Sequence, residues 1–322
     1  MKLTYYKTLD EKAPNFYQST VIHYRIDQAY QLNDWYNQTN ETIKNQEPFA
    51  NFFRGMDNAK YKLYNSAQRF WISNNLEEIE ALSVPVQYIE MVQNMVNKAK
   101  QVKLLQQVFQ YYNLADDQQD FPLLSILQHY NAPTPLLDWS YNLDVALYFA
   151  LSSMKKNETE NEIEDYISIY RINKTDHSSF MKNNLNYISA NIFPSVTGLS
   201  NYLAQDNSVV YISDFEIQDQ PDDRKIKPLT TYYNLNILAQ RGLFVFNPSK
   251  DIPLEDYPSL PPRDGTQCKI YCYNIHKDLA EFIRLLIGKN KIDTDFLFPE
   301  LRNYSKNILN DYLKELVGFV GK

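Results

Sequence analysis

The apolar residues of this chain change period partway along it. In "VQYIEMVQNMVNKAKQVKLLQQVFQYY", Val86, Ile89, Met91, Met95, Val96, Ala99, Val102, Leu105 and Val108 recur at mostly three- and four-residue intervals. That spacing puts them on one face of a helix, and the helical pattern extends over Glu77–Asn113. An ordinary core-packing helix is the expected reading, ahead of a partner-binding one. After the charged stretch Lys155–Asp165 the apolar residues come instead in short runs: "YISIYRI" (Tyr166–Ile172), "VVYISDF" (Val209–Phe215), "GLFVFNP" (Gly242–Pro248) and "CKIYCYNI" (Cys268–Ile275). These are strand signals. Helices come mostly first and strands mainly later, so the expected fold class is α+β. We expect one compact mixed domain with an N-terminal helical portion and a largely C-terminal β-sheet.

Smaller features fill in this frame. A helix is expected over "IDQAYQLNDWYNQT" (Ile26–Thr39), a strand in "EPFANFFRGM" ending at Gly55, and a loop turning into a short helix in "KLYNSAQRFW". Leu123–Tyr130 reads as a helix stopped by Asn131, Pro133 and Pro135. "LLDW" follows as a short buried segment, and either Ser140 or Asn142 caps the helix "LDVALYFALSSMKK". Two later helices are expected, over Lys277–Gly288 and Asn303–Val317. No repeat and no Gly/Ser linker divides the 322 residues, which form a single domain.

Several function classes are excluded early. With only 7 glycines the chain has little room for a glycine-rich phosphate loop, and it has no P-loop, dinucleotide fingerprint, "HExxH" or "GxSxG". The net charge of -7 offers no global attraction to nucleic acid. No acidic spacing marks a two-metal nuclease. The "CKIYC" spacing of Cys268 and Cys272 fits neither a redox pair nor a zinc knuckle, so no metal site is expected and the thiols read as small buried groups. No run is long enough to cross a bilayer, and the N-terminus lacks the apolar core of a signal peptide; a cytoplasmic protein is expected.

Two stretches carry candidate chemistry. In "NFFRGM" an arginine fork suited to phosphate or carboxylate, Arg54, sits beside Gly55, whose missing side chain can let a ligand approach the backbone. In "LLSILQHYNAPTPLLDWSYNLDVALYFA", Asp138 lies among apolar neighbours, where a carboxylate is costly unless paired or hydrogen-bonded. It either pairs with Arg54 or caps the following helix. Trp139 packs on the core or forms a pocket wall. His129 is either a proton carrier or a structural hydrogen-bond partner. Further on, "AQRGLFVF" sets Gln240, Arg241 and Gly242 before a strand. Gln240 can orient a sugar or amide but cannot serve as a general base.

Taken together, "FFRG" (Phe52–Gly55), "LQHYNAPTPLLDWSYNLDVALYFA" (Leu127–Ala150), "AQRGLFVF" (Ala239–Phe246) and "FLFPEL" (Phe296–Leu301) resemble, in order, the motifs of the FRG-domain family, named for its Phe/Tyr-Arg-Gly signature. The resemblance implies a family core over residues 50–302, with residues 1–45 as a helical extension packed on it. Four departures stand out: Asn131 replaces the usual Gly, Pro135 occupies the common Arg position, Ser140 replaces Thr, and "FLFPEL" lacks the usual following Gly. Family members often resemble parts of bacterial defence or toxin-like systems, and the resemblance extends distantly to ADP-ribosyltransferases. It therefore implies an ADP-ribosyltransferase-like fold and an NAD-dependent transferase. Arg54, Gln240 and His129 would be catalytic, and Arg54, Gly55, Trp139 and Arg241 would contact NAD. Asp138 would be structural at the site, and a protein would be the acceptor or partner. Glu255 and Glu281 are the carboxylates available for the missing catalytic acid. The alternative is a non-catalytic module that binds or senses a nucleotide or a protein.

Overall fold

The computed structural model describes residues 2–12, 21–46, 49–78, 87–111, 120–155, 161–173, 210–212, 235–247, 249–256 and 270–298. Among the described residues seven strands form one sheet in the order β1-β7-β4-β2-β3-β6-β5. They are β1 (Val21–Ile26), β2 (Asn51–Met56), β3 (Leu136–Ser140), β4 (Tyr166–Asn173), β5 (Val210–Ile212), β6 (Gly242–Phe246) and β7 (Ile270–His276). Only β1 and β7 run parallel; β2 with β3 and β4, β3 with β6, β4 with β7, and β5 with β6 are antiparallel.

The domain is mixed α+β, but its helices and strands are interspersed, which corrects the expectation of a helical N-terminal portion followed by a sheet. Three strands, β1, β2 and β3, precede residue 166. The reason is long-range pairing: "VIHYRI" takes the sheet edge by hydrogen bonding to β7, from the far end of the chain.

Alternation along the strands assigns the core. Phe53, Ile167, Ile169 and Ile275 pack with α1 (Ala29–Asn45), α6 (Leu143–Ser152) and the helix Ala280–Lys289. On the same face, Leu136, Phe244 and Phe246 meet residues of α2 (Ser66–Ser73), α3 (Tyr88–Lys100), α4 (Lys103–Tyr111) and α5 (Asp120–His129). Their strand neighbours Phe52, Leu137, Trp139, Tyr170, Leu243 and Val245 form the core of the opposite face. There Lys12 is buried, donating to Ser168 Oγ and Asn274 Oδ1, each at 3.0 Å.

The helical run expected over Glu77–Asn113 is two helices, because Gln101 ends α3 and Val102, expected in the core, is exposed. Asn142 is the cap of α6, its side chain accepting from Asp144 N at 2.9 Å. Asn131, where a glycine is usual in the resembled motif, has φ 63°. This is the left-handed residue after α5, and asparagine is the side chain that best tolerates that position after glycine. The helix expected over Asn303–Val317 lies outside the described residues.

Candidate functional site

The middle of the sheet is open. β2 and β3 share a single register pair, Phe53↔Ser140. Just beyond it, the Arg54 guanidinium reaches from β2 to β3 and donates from Nη1 to the backbone carbonyl of Asp138. A cleft of about 860 Å³ runs over this opening, within the size range of small-molecule sites. β2 and β3 floor it, α2 and α5 wall one side, α6 another, and Asn236, Ile237 and Gln240 contribute from the segment leading into β6.

Arg54, Gly55, His129, Asp138, Trp139 and Gln240 all line this cleft. Arg54 is 17% exposed, and its Nη1 lies 3.9 Å from Asp138 Oδ2. Burial pulls its pKa below the ordinary arginine value; the Asp138 charge opposes that shift and the Arg69 charge adds to it. The Asp138 side chain is 57% exposed. It therefore faces the cleft rather than lying beneath the "LLDW" turn, which corrects the view of it as a carboxylate in apolar surroundings. Gln128 Nε2 donates to Asp138 Oδ2 at 2.9 Å. Gln128 is held in turn by the hydroxyls of Thr134 and Ser66, which both donate to its Oε1.

Gly55 has a different reason to be glycine from the one its sequence suggested. A Cβ there would lie 1.9 Å from the carbonyl oxygen of Ala146 and 2.8 Å from the nitrogen of Ala150. The missing side chain admits the backbone of α6. The two alanines of "ALYFA" complete this close crossing of helix and strand.

Trp139 is 3% exposed and meets Phe52 edge-to-face, with ring centroids 5.3 Å apart. It is thus both core residue and cleft wall. His129 ends α5 with Nδ1 3.2 Å from Asn236 Nδ2. Gln240 donates from Nε2 to the carbonyl of Leu297 at 3.1 Å, and its own carbonyl accepts from Ser140 Oγ at 2.6 Å. Arg241 lies outside the cleft, with its guanidinium 5.6 Å from the centre of the Phe49 ring. Its φ of 47° marks the turn into β6.

Neither spare glutamate lines the cleft. Glu255 is buried and accepts from Leu63 N through both oxygens, and Glu281 pairs with Arg284 on the surface. Among the described residues no group of three His, Cys, Asp or Glu side chains could hold a metal ion. None of their helices is long and apolar enough to cross a membrane.

Among the polar lining residues that sequence reading missed are Arg69, Gln128, Ser66 and Ser125. Gln128 sits inside "LQHY", where the neighbouring His129 drew the reading. Arg69, in "SAQRFW", carries no local signal. Three buried polar atoms at the cleft have no hydrogen-bond partner in the structure: Arg54 Nε, Ser125 Oγ and Trp139 Nε1. Such groups cost free energy unless something satisfies them, so they fit a site for a polar ligand.

Residues 50–159, about a third of the chain, match the FRG domain. That span holds β2, β3 and α6 and most of the cleft wall. No curated protein and no solved structure matches the chain.

Proposed function

We propose that the cleft binds a nucleotide-like, phosphate-bearing ligand of the NAD class, and that the protein acts on it as an ADP-ribosyltransferase-like enzyme. One observation carries the reading: Arg54, Asp138 and Gln240, from three separate stretches of sequence, line a single cleft. The reading rests on this site and not on the fold.

Each residue has a role that its geometry allows. The Arg54 fork, fixed by its bond to the Asp138 carbonyl, presents its remaining N–H donors to a phosphate. NAD would supply a ribosyl group whose leaving group departs neutral, so the site needs no strong general acid. Asp138 offers a carboxylate where positive charge develops on the sugar, and the Gln128 bond sets its direction. Gln240 and Trp139 form part of the wall against which a flat ring is held. A role in a bacterial defence or toxin-like system, with a protein acceptor, would be consistent with this chemistry.

A second reading is a non-catalytic module that binds the same class of ligand. It is favoured by the engagement of the Gln240 amide with Leu297 and of Asp138 with Gln128. Incubation with NAD labelled in its nicotinamide separates the two. The transferase reading expects nicotinamide release by the wild type and loss of release, with binding retained, in Asp138→Asn. Tight binding with no release, across candidate acceptors, leaves the binding module.

A further inference from the structure

We infer that the cleft contains a diphosphate subsite built from two guanidiniums, Arg54 of β2 and Arg69 of α2, and that it selects ligands with two linked phosphates over those with one. The inference rests on the nucleotide reading above. It goes further by naming the second cation and the number of phosphates.

The charges of the cleft lead to it. Its charged lining residues, His129 aside, are Arg54, Arg69, Lys62, Asp57 and Asp138. Lys62 is paired with Asp256 at 2.5 Å and also lies over the Tyr6 ring. Asp57 lies in the field of Lys277. Two arginines are left with one carboxylate, Asp138, whose charge acts favourably on both. The two guanidiniums repel each other, and burial bears on each. One more negative group between them is what such an arrangement favours.

Both forks are also held in place. Arg54 donates to the carbonyl of Asp138, and Arg69 donates from Nη1 to the carbonyl of Tyr64. Each anchor uses one N–H of a guanidinium that has five, so several donors remain at fixed angles. Fixing the donors in advance lowers the entropy cost of binding. The same cleft is lined by deeply buried donors without partners: Trp139 Nε1, on a side chain 3% exposed, and Ser125 Oγ, on one that is 0% exposed. A single phosphate can satisfy one fork, whereas two linked phosphates can satisfy both.

Titration calorimetry of the whole chain with inorganic pyrophosphate and inorganic phosphate, at one ionic strength, tests the inference. Pyrophosphate should bind the wild type about ten-fold or more tightly than phosphate. Arg69→Gln should bring the two anions to similar affinity while the melting temperature stays near that of the wild type. Arg69→Lys, which keeps the charge and loses the fork, should weaken pyrophosphate by several-fold, and it carries the test if Arg69→Gln does not fold. Equal affinity of the wild type for the two anions would overturn the subsite, as would an undiminished preference in a folded Arg69 variant. The two proposals fail separately. An Arg69-dependent preference in a protein that releases no nicotinamide keeps the subsite and removes the transferase. Release of nicotinamide with no preference between the anions does the reverse.

Discussion

Asp138 and Asp144 flank the Ser140–Asn142 corner and show how differently two nearby carboxylates can be used. Asp144 is buried, accepting from Tyr36 Oη at 2.7 Å and from Asn290 Nδ2 at 2.6 Å. It ties α6 to α1 and to the end of the helix Ala280–Lys289. Asp138 is mostly exposed and its side chain accepts from Gln128. Asp144→Ala should therefore cost about 2 kcal/mol, since it strands the buried hydroxyl of Tyr36, whereas Asp138→Ala should cost about 1 kcal/mol or less. Urea denaturation of both variants checks the contrast; equal losses would contradict it. The sequence did not separate these residues because both sit in apolar company. "PLLDWS" places Leu137 and Trp139 beside Asp138, but the strand alternates and the β2–β3 ladder opens there. An opening between strands distant in sequence leaves no local trace. Arg54 was legible as a ligand candidate because an arginine fork beside a strand's apolar pair is unusual, while Arg69 reaches the cleft only through the packing of α2.

At the scale of elements, the tightest constraint is the crossing of α6 over β2. Gly55→Ala would push a methyl group into the backbone of Ala146, which no side-chain rotation can relieve. We expect a loss of about 3 kcal/mol or more, read as a lower urea midpoint with the slope unchanged. A variant as stable as the wild type would mean that α6 sits further from the strand. The helices α2, α5 and α6 and the strands β2, β4, β6 and β7 could be anticipated from period, caps and prolines, to within a few residues, whereas β3 read only as a short buried segment. β1 could not, because "VIHYRI" carries His23 and Arg25 and its partner β7 lies across almost the whole chain. The break between α3 and α4 was also hidden, since the apolar period runs on through Val102 although that side chain is exposed.

For the whole molecule, two titrating groups on or near the sheet face that holds Lys12, the buried Glu255 and the half-buried His23, set opposing responses to pH. Burial, aided by the Asp256 charge, pushes Glu255 up from 4.5 to about 7. Between those values the folded protein keeps a proton that the unfolded chain releases, so stability falls as pH rises through the window. Burial and the Lys12 charge push His23 down from 6.5 to about 3. There the unfolded chain binds a proton that the fold excludes, so stability falls as pH drops through that window. The two slopes offset each other between about pH 4.5 and 6.5, and a broad maximum is expected there. Glu255→Gln should raise stability at pH 8 by on the order of 2 kcal/mol and leave a steady loss below about pH 6.5. Thermal melting across this range reads both effects, and an unchanged profile in Glu255→Gln would contradict them. The central claim, that the cleft is a ligand site built on Arg54, is tested most directly by calorimetric binding of NAD to the wild type, Arg54→Lys and Arg54→Ala, each checked for folding by its melting curve. The account predicts binding to the wild type, substantially weaker binding to Arg54→Lys, and weaker binding still to Arg54→Ala, with the alanine variant folded because Asp138 is exposed and solvated. Normal binding to a well-folded Arg54→Ala protein would contradict it.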